Sequence, residues 1–363
     1  MHLDDSLLRE LAPANLPALR AGRYGGDDMG IRMQELSADD ASRIRLLYDA
    51  LAALLSELRV ALCLPAGDGG APGGFSNGSP DLGPAASAEC IAAAAKELAR
   101  TAADPAWRAA MLAAREVRGA TGDSATRAPG ERTRLRQALH DVRGGALTAL
   151  ALTIEMAALK GKISTGDVVR SFYLTRDHLK IMRNAIEDVD VLARTRDQSY
   201  RNHGTHLLFE KWTSATHRLA MGRSASITVD STYGGPVSRS CLEFSALDRV
   251  VYNLMNNAVR FTSDGTVTLY LREVGENLRF VVVNAVTPEH LATLRTRFGD
   301  ALGDLYFSSF TTGGEGVGLG ICGELVANAY GLAGAPEAVA GGYVGATVRE
   351  GAFITWFHWP TTE

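Results

Sequence analysis

Residues 248–271 read DRVVYNLMNNAVRFTSDGTVTLYL, and this stretch decides how the chain is read. Its first part has a helical period and its last part alternates like a strand. Asn253, Asn257 and Arg260 fall at i, i+4 and i+7, on one face of the helix. Val251, Leu254, Met255 and Ala258 take the opposite face. An apolar face anchors the helix while two amides and a guanidinium point together. Amide oxygens suit Mg²⁺, and arginine suits phosphate. A solvated polar face is the plain alternative for such a trio taken alone.

Around this helix the pattern is mixed α/β from about residue 205. The runs at 226–230, 266–273, 278–286 and 351–360 are β-rich, and helices fit 208–222, 245–261 and 319–330. The expected architecture is a sheet covered by helices, an α+β sandwich. Within it, residues 307–331 read FSSFTTGGEGVGLGICGELVANAYG. Gly316, Gly318 and Gly320 alternate just before a helical run, where glycine lets backbone approach a phosphate and a helix N-terminus favours the anion. Phe307 and Phe310 read as packing residues.

Upstream, residues 131–159 carry an apolar stripe at 135, 139, 142, 146, 149 and 153, and 168–194 resume the pattern after a turn at 161–167. Two such helices bury their stripes poorly alone, so a four-helix bundle from two chains is expected. In LRQALHDVRGGALTALAL (135–152), His140 lies about 140° from the stripe and is expected to face outward. The carboxylate of Asp141 beside it can hold one ring nitrogen protonated and leave the other nucleophilic. An ordinary surface histidine is the plain alternative. The Gly144–Gly145 pair, expected mid-helix, costs about 1 kcal/mol per residue relative to alanine. Arginines at 127, 132, 134, 136 and 143 surround His140, as a steering patch or as a solvated face.

Nearer the start, helices fit 38–62, with Ser37 as N-cap, then 88–101, and 105–118 with Pro105 in the first turn. Residues 65–88 and 119–130 are rich in Gly, Pro, Ser and Ala and read as linkers. The balance of 37 Lys+Arg against 41 Asp+Glu gives a net charge of −4, which carries no nucleic-acid or polybasic-membrane signature. There is no run of about 18 apolar residues for a membrane span. The acidic N-terminus has no apolar leader core. Cys63, Cys90, Cys241 and Cys322 are widely spaced, fit no zinc or disulfide pattern, and are expected to be reduced thiols in a cytoplasmic protein.

Taken in order, these segments resemble a bacterial sensor histidine kinase of two-component signalling, over about residues 126–363. His140-Asp141-Val142-Arg143 resembles the H-box, and Asn253 to Arg260 with Phe261-Thr262 the N-box. Phe307 to Thr312 resembles the F-box, and Gly316-Val317-Gly318-Leu319-Gly320 the second glycine box. The resemblance implies three parts. These are a helical region at 1–125 of sensory or docking role with a flexible loop at 65–88, a dimerisation and phosphotransfer hairpin at 126–200, and a GHKL-type ATP-binding α/β sandwich at 201–363. It implies ATP and Mg²⁺, with Asn253 on the metal and Asn257 and Arg260 on phosphates. Thr312, Gly316, Gly318, Leu319 and Gly320 would lie in the loop over the nucleotide. His140 would attack the γ-phosphate, Asp141 would act as base, and an aspartate on a response-regulator receiver domain would take the phosphoryl group. A homodimer through the hairpin is implied as well.

The chain departs from the family in two places. Where the family has Asp-x-Gly-x-Gly after a strand, the Asp accepting from adenine, this chain has Asn284-Ala285-Val286-Thr287-Pro288. Asn284 can still accept through its amide oxygen, while Val286 and Pro288 narrow or stiffen the loop. Where many members have Thr or Asn four residues after the histidine and then Pro, this chain has Gly144 and Gly145, from which weak phosphatase activity is expected. Other readings stay open: a phosphotransfer protein that binds no ATP on a degenerate kinase domain, an ATPase or serine kinase on the same fold, or a structural dimerisation module.

Overall fold

The computed structural model describes residues 30–64, 87–117, 129–160, 163–199, 202–213, 217–218, 224–308 and 318–361. Most of the two expected linkers, the N-terminal stretch, and the glycine loop through residue 317 lie outside the described residues. The chain forms two compact units, one built on residues 28–201 and the other on residues 202–363.

The first unit is helical. Ser37 caps α1 (Ala38–Ala61), its hydroxyl accepting from the Asp40 amide at 3.1 Å. Ser87 caps α2 (Ala88–Ala103) in the same way. Asp104 caps α3 (Pro105–Glu116), which has Pro105 in its first turn as expected. Then come α4 (Pro129–Val142), α5 (Gly145–Lys160), α6 (Thr165–Ala185) and α7 (Val191–Ser199). The helix expected over 131–159 is thus two helices. At the break the Gly144 amide bonds back to the Asp141 carbonyl at 3.2 Å, and the Gly144 carbonyl accepts from Leu147 at 3.0 Å to start α5. Glycine's low helix propensity locates the break.

The helix expected over 168–194 also divides, because its middle is used by another segment. Ile31 donates to the Ala185 carbonyl and accepts from the Glu187 amide, both at 2.9 Å. The Met33 amide donates to Asp188 at 2.8 Å, Arg45 donates to the Val189 carbonyl, and the Tyr48 hydroxyl donates to Asp190 at 2.8 Å. Arg183 spans the same corner, donating to Asp197 at 2.6 Å and to the Tyr48 oxygen at 3.2 Å.

α6 packs against α1, α2, α4, α5 and α7. Phe172, Leu179 and Met182 are buried on it, and so are Tyr173, Leu174 and Thr175 on its other faces. The apolar stripe that seemed to need a second chain is therefore covered by α1 and α2 of the same chain. What α5 still presents to solvent is Leu152 and Leu159, 54% and 81% exposed.

The expectation of four reduced thiols is corrected at two of them. Cys63 and Cys90 form a disulfide, with Cα atoms 6.1 Å apart. The packing of α1 on α2 brings the end of one beside the start of the other. A separation of 27 residues across a linker gives no sequence sign of it. Cys241 and Cys322 are free and buried.

The second unit is α/β. A two-stranded sheet pairs β1 (His203–Gly204) with β4 (Pro236–Ser238). A six-stranded sheet has the order β2 (His217–Arg218), β3 (Ser224–Ser231), β5 (Thr266–Val274), β6 (Asn277–Ala285), β8 (Ala352–Pro360), β7 (Val344–Arg349). β3 and β5 run parallel and the other neighbours antiparallel. The four expected strands are β3, β5, β6 and β8. β7 was not foreseen, since Gly345 and Ala346 blunt its alternation. α8 (His206–Thr213) is shorter than the helix expected at 208–222. α9 (Cys241–Phe261), capped by Ser240, and α11 (Gly318–Ala329) fit their expected places. α10 (Pro288–Phe298) and α12 (Ala335–Ala340) are additional.

α9 is fixed from below by its buried apolar residues Val250, Val251 and Met255, and from the side by a buried ion pair. Lys211 of α8 donates to both oxygens of Asp248 on α9, at 2.8 and 2.7 Å. Lys211→Ala removes the ammonium beside the buried Asp248 carboxylate, and should cost about 3–5 kcal/mol in urea unfolding. The double variant Lys211→Met with Asp248→Leu should recover most of that loss.

Candidate functional site

α9 carries Asn253, Asn257 and Arg260 along one side, as its spacing required. Val251 and Met255 are fully buried behind them. Leu254 and Ala258 are buried too, but they share a pocket wall with Asn257 rather than lying opposite it. This pocket of about 340 Å³, including its mouth, opens where β6 ends between α9 and α11. Its apolar walls are Leu254, Ala258, Phe261, Val286, Leu319 and Phe353, and its polar groups are Asn257, Asn284, His290 and Thr355.

Three sequence motifs therefore meet: Asn257 from α9, Asn284 from the end of β6, and Leu319 from the first turn of α11. Asn253 stands beside them. Its Nδ2 lies 3.5 Å from the Gly318 carbonyl, which ties α9 to the N-terminus of α11 across 65 residues of sequence. Gly318 and Gly320 lie in the first turn of α11. A Cβ at either would meet only ordinary contacts, 3.7 Å from Asn253 Oδ1 and 3.8 Å from the Tyr306 carbonyl. The glycine that packing demands is Gly323, where a Cβ would stand 2.8 Å from the Tyr306 carbonyl. Thr312 and Gly316 lie outside the described residues, as does Phe310. Phe307, expected to pack, is 45% exposed.

Asn284 is buried, and its Nδ2 donates to the Ala285 carbonyl at 3.2 Å. The chain then turns directly into α10. Thr287 caps that helix, accepting from the His290 amide at 3.2 Å, and Pro288 occupies its first turn. No glycine is needed for this corner, and Val286 goes into the pocket wall. His290, which sequence reading missed, stacks on Phe261 with centroids 4.8 Å apart. Burial holds its imidazole below the usual range and so neutral at pH 7. The Arg260 guanidinium lies 5.3 Å from the Phe261 ring on the exposed side of the same helix.

His140 and Asp141 lie in the helical unit. Contrary to the outward placement expected, the His140 side chain is only 18% exposed and Asp141 7%, since α4 is packed into the bundle. His140 Nδ1 stands 3.6 Å from Asp141 Oδ1. Of the nearby arginines, Arg134 pairs with Glu35 at 3.1 Å and Arg143 donates to the Leu139 carbonyl at 3.2 Å.

Directly behind this pair, His178 of α6 places Nε2 3.1 Å from the Val142 carbonyl. It thereby satisfies a carbonyl that the break at Gly144 leaves outside the helical ladder. His178 is wholly enclosed, and desolvation pulls it down from 6.5 to about 4. An imidazole depressed in the folded state contributes stability above its unfolded value and loses it as pH falls. From pH 6.5 to pH 4 the helical unit should lose up to about 3 kcal/mol. His178→Gln should flatten this slope in urea titrations across that range.

As to the donors available for a metal, no cluster of three His, Cys, Asp or Glu occurs among the described residues. The hard oxygen of Asn253 beside a helix N-terminus is instead the kind of single protein ligand that suits Mg²⁺ carried in on phosphates. The donor set fits a magnesium–nucleotide.

Residues 243–363 match the family of histidine kinase-, DNA gyrase B-, and HSP90-like ATPases. Similar solved structures include the catalytic domain of the histidine kinase ThkA, at 20% identity, covering 38% of this chain and 80% of that one with a TM-score of 0.28. The histidine kinase AdeS of Acinetobacter baumannii is similar at 16% identity, over 62% of this chain and 98% of that one, with a TM-score of 0.25. A bacterial phosphotransferase is similar at 11% identity, over 63% and 97%, with a TM-score of 0.30. No curated protein matches the chain. Residues 243–363 are thus similar to the histidine kinase-, DNA gyrase B-, and HSP90-like ATPases, in keeping with the resemblance to sensor histidine kinases.

Proposed function

We propose that this chain is a histidine kinase that phosphorylates His140 from Mg-ATP and passes the phosphoryl group to an aspartate of a response-regulator receiver domain. The observation that carries this reading is the meeting of Asn257, Asn284 and Leu319 in one pocket beside the Asn253–Gly318 contact. Asn253 would hold the metal, which when bound offsets phosphate charge. Asn257 and Arg260 would orient the phosphates, and the loop of Thr312 and Gly316 with Gly318, Leu319 and Gly320 would cover them. With Nδ1 turned to Asp141, His140 has Nε2 for attack on the γ-phosphorus. The Nε2–P bond forms as the bond to the bridging β–γ oxygen breaks. ADP leaves, and Asp141 takes the Nδ1 proton.

The competing reading is a phosphotransfer protein that binds no nucleotide. Val286 in the pocket wall and Pro288 at the start of α10 favour it. Calorimetry with Mg-ATP separates the two. Binding by the wild type that weakens by about tenfold or more in Asn253→Ala supports the kinase. Acid-labile labelling lost in His140→Gln completes the case. A folded wild type with no affinity for Mg-ATP leaves only the relay.

Pairing of two chains through residues 126–200 belongs to this reading, and Leu152 and Leu159 on α5 form one exposed apolar face for it, with Val191 and Leu192 exposed on α7 as well. Leu152→Glu should therefore convert a dimer to a monomer in sedimentation. A cytoplasmic location is also part of the reading. No described helix is long and apolar enough to cross a membrane, while the Cys63–Cys90 bridge counts against the reducing compartment expected from the cysteines.

A further inference from the structure

The four cysteines divide two and two by their surroundings. Cys241 and Cys322 are enclosed, and burial pushes the Cys322 thiol up to about 12. Cys63 and Cys90 are bridged, with Cys63 exposed and Cys90 half-buried. A bridge open to solvent is the labile kind. A bridge that cycles is also the kind that a cytoplasmic protein can carry.

The two bridged sulfurs are not equivalent. Cys63 lies just past the end of α1. The Leu64 amide closes that helix end on the Arg59 carbonyl at 3.0 Å, and Cys63 stands between them at φ 58°. This is the left-handed place where a helix end favours glycine, so the bridge ties down a residue that the backbone disfavours there. Cys90 lies in the first turn of α2. The Ser87 hydroxyl accepts from the Cys90 amide and donates to Cys90 Sγ, both at 3.2 Å. A helix N-terminus and a hydroxyl donor both stabilise a thiolate. Cys90 is therefore the better leaving group, and Cys63 is the sulfur that an incoming thiol can reach.

α2 packs on α5 and α6 as well as on α1, and it buries Ala94, Leu98, Thr101 and Ala102. None of residues 88–93 is fully buried. Near its end, α2 is tied to α1 by Arg100 and Glu57, 2.6 Å apart. At its start, the tie is the sulfur–sulfur bond.

We propose that Cys63–Cys90 is a reversible modification site for a small-molecule thiol, which opens the bridge at Cys63 and frees the start of α2 from the helices it covers. The incoming thiolate bonds to Cys63 Sγ as the bond between the two protein sulfurs breaks, and Cys90 leaves with the electron pair. A second thiolate attacks the small-molecule sulfur of this mixed disulfide, and Cys63 leaves in turn. The two cysteines take up the protons that the two thiols gave up. The bridge thus gains two electrons, and two thiols become one small-molecule disulfide. That disulfide in excess reverses the steps. No part of this depends on nucleotide binding.

The test uses the full chain, without denaturant, in reduced and in oxidised glutathione. After oxidised glutathione, N-ethylmaleimide should label no cysteine. After reduced glutathione it should label Cys63 and Cys90 and leave Cys241 and Cys322 unmodified. Acid quenching partway, followed by peptide mass mapping, should find glutathione on Cys63 about tenfold more often than on Cys90. Amide exchange over residues 91–96 should speed up about tenfold on reduction and return on reoxidation. A bridge that opens only in urea, glutathione carried equally or mainly by Cys90, or exchange unmoved by reduction overturns the proposal. So does a chain that keeps four free thiols in oxidised glutathione. The double variant Cys63→Ser with Cys90→Ser should exchange like the reduced wild type in either buffer, and exchange like the oxidised form overturns the hold of the bridge on α2. If that variant does not fold, the reduced and oxidised wild type decide.

Discussion

α9 has to satisfy two surfaces at once, and the α/β unit depends on its doing so. One side must stay dry against β5 and β6, and the other must hold amides at a solvent-facing pocket. Val251 and Met255 meet the first demand and Asn253 and Asn257 the second. The helix has little freedom to rotate between them. A turn of a fraction of a residue would lift the apolar row off the sheet or swing the amides away from β6 and α11. The Lys211–Asp248 pair fixes that rotation from a third direction. Its stability value by comparison with an apolar pair is small, but its geometry is specific, which is what an angular constraint requires.

Much of this was legible in the sequence because it is periodic. The spacing of Asn253, Asn257 and Arg260, the alternation in β5 and β6, the cap at Ser37 and the first-turn Pro105 are local signals. The chemistry-bearing residues of the pocket came from three such segments, and their meeting followed from the order of motifs. What periodicity could not give is which residues end an element for the sake of a distant partner. The helix over 168–194 reads as continuous because its composition is uniformly helical. It stops at Ala185 because Ile31 claims the backbone of the next residues. The Cys63–Cys90 bridge escaped for the same reason, as did the cover that α1 and α2 give to α6.

The site was less legible than the fold, and the gaps follow from side-chain chemistry. His290 has no motif of its own. It reaches the pocket because Thr287 and Pro288 start a helix immediately after β6, and a single turn returns its ring to Phe261. Leu254 and Ala258 looked like core residues and are buried, yet they also form a wall. Helical angles separate faces by 100° per residue, and a pocket beside a helix spans more than one of them. His140 reads as a surface residue when only its own hairpin is considered. It becomes half-buried once the rest of the chain is packed around that hairpin.

The backbone pairing of Ile31 with the stretch after Ala185 has a consequence for how the chain is made. The two partners are separated by α1 to α6. A ribosome delivers residues from the N-terminus, so α1 to α6 emerge before the stretch that pairs with Ile31 exists. Until Glu187 and Asp190 are out, Ile31 lacks its backbone partners and Tyr48 its carboxylate, and the side of α1 that α6 covers is the last to be closed. The helical unit therefore closes only once the stretch after Ala185 has emerged, its two outer segments last, and until then its nascent form is open to chaperones.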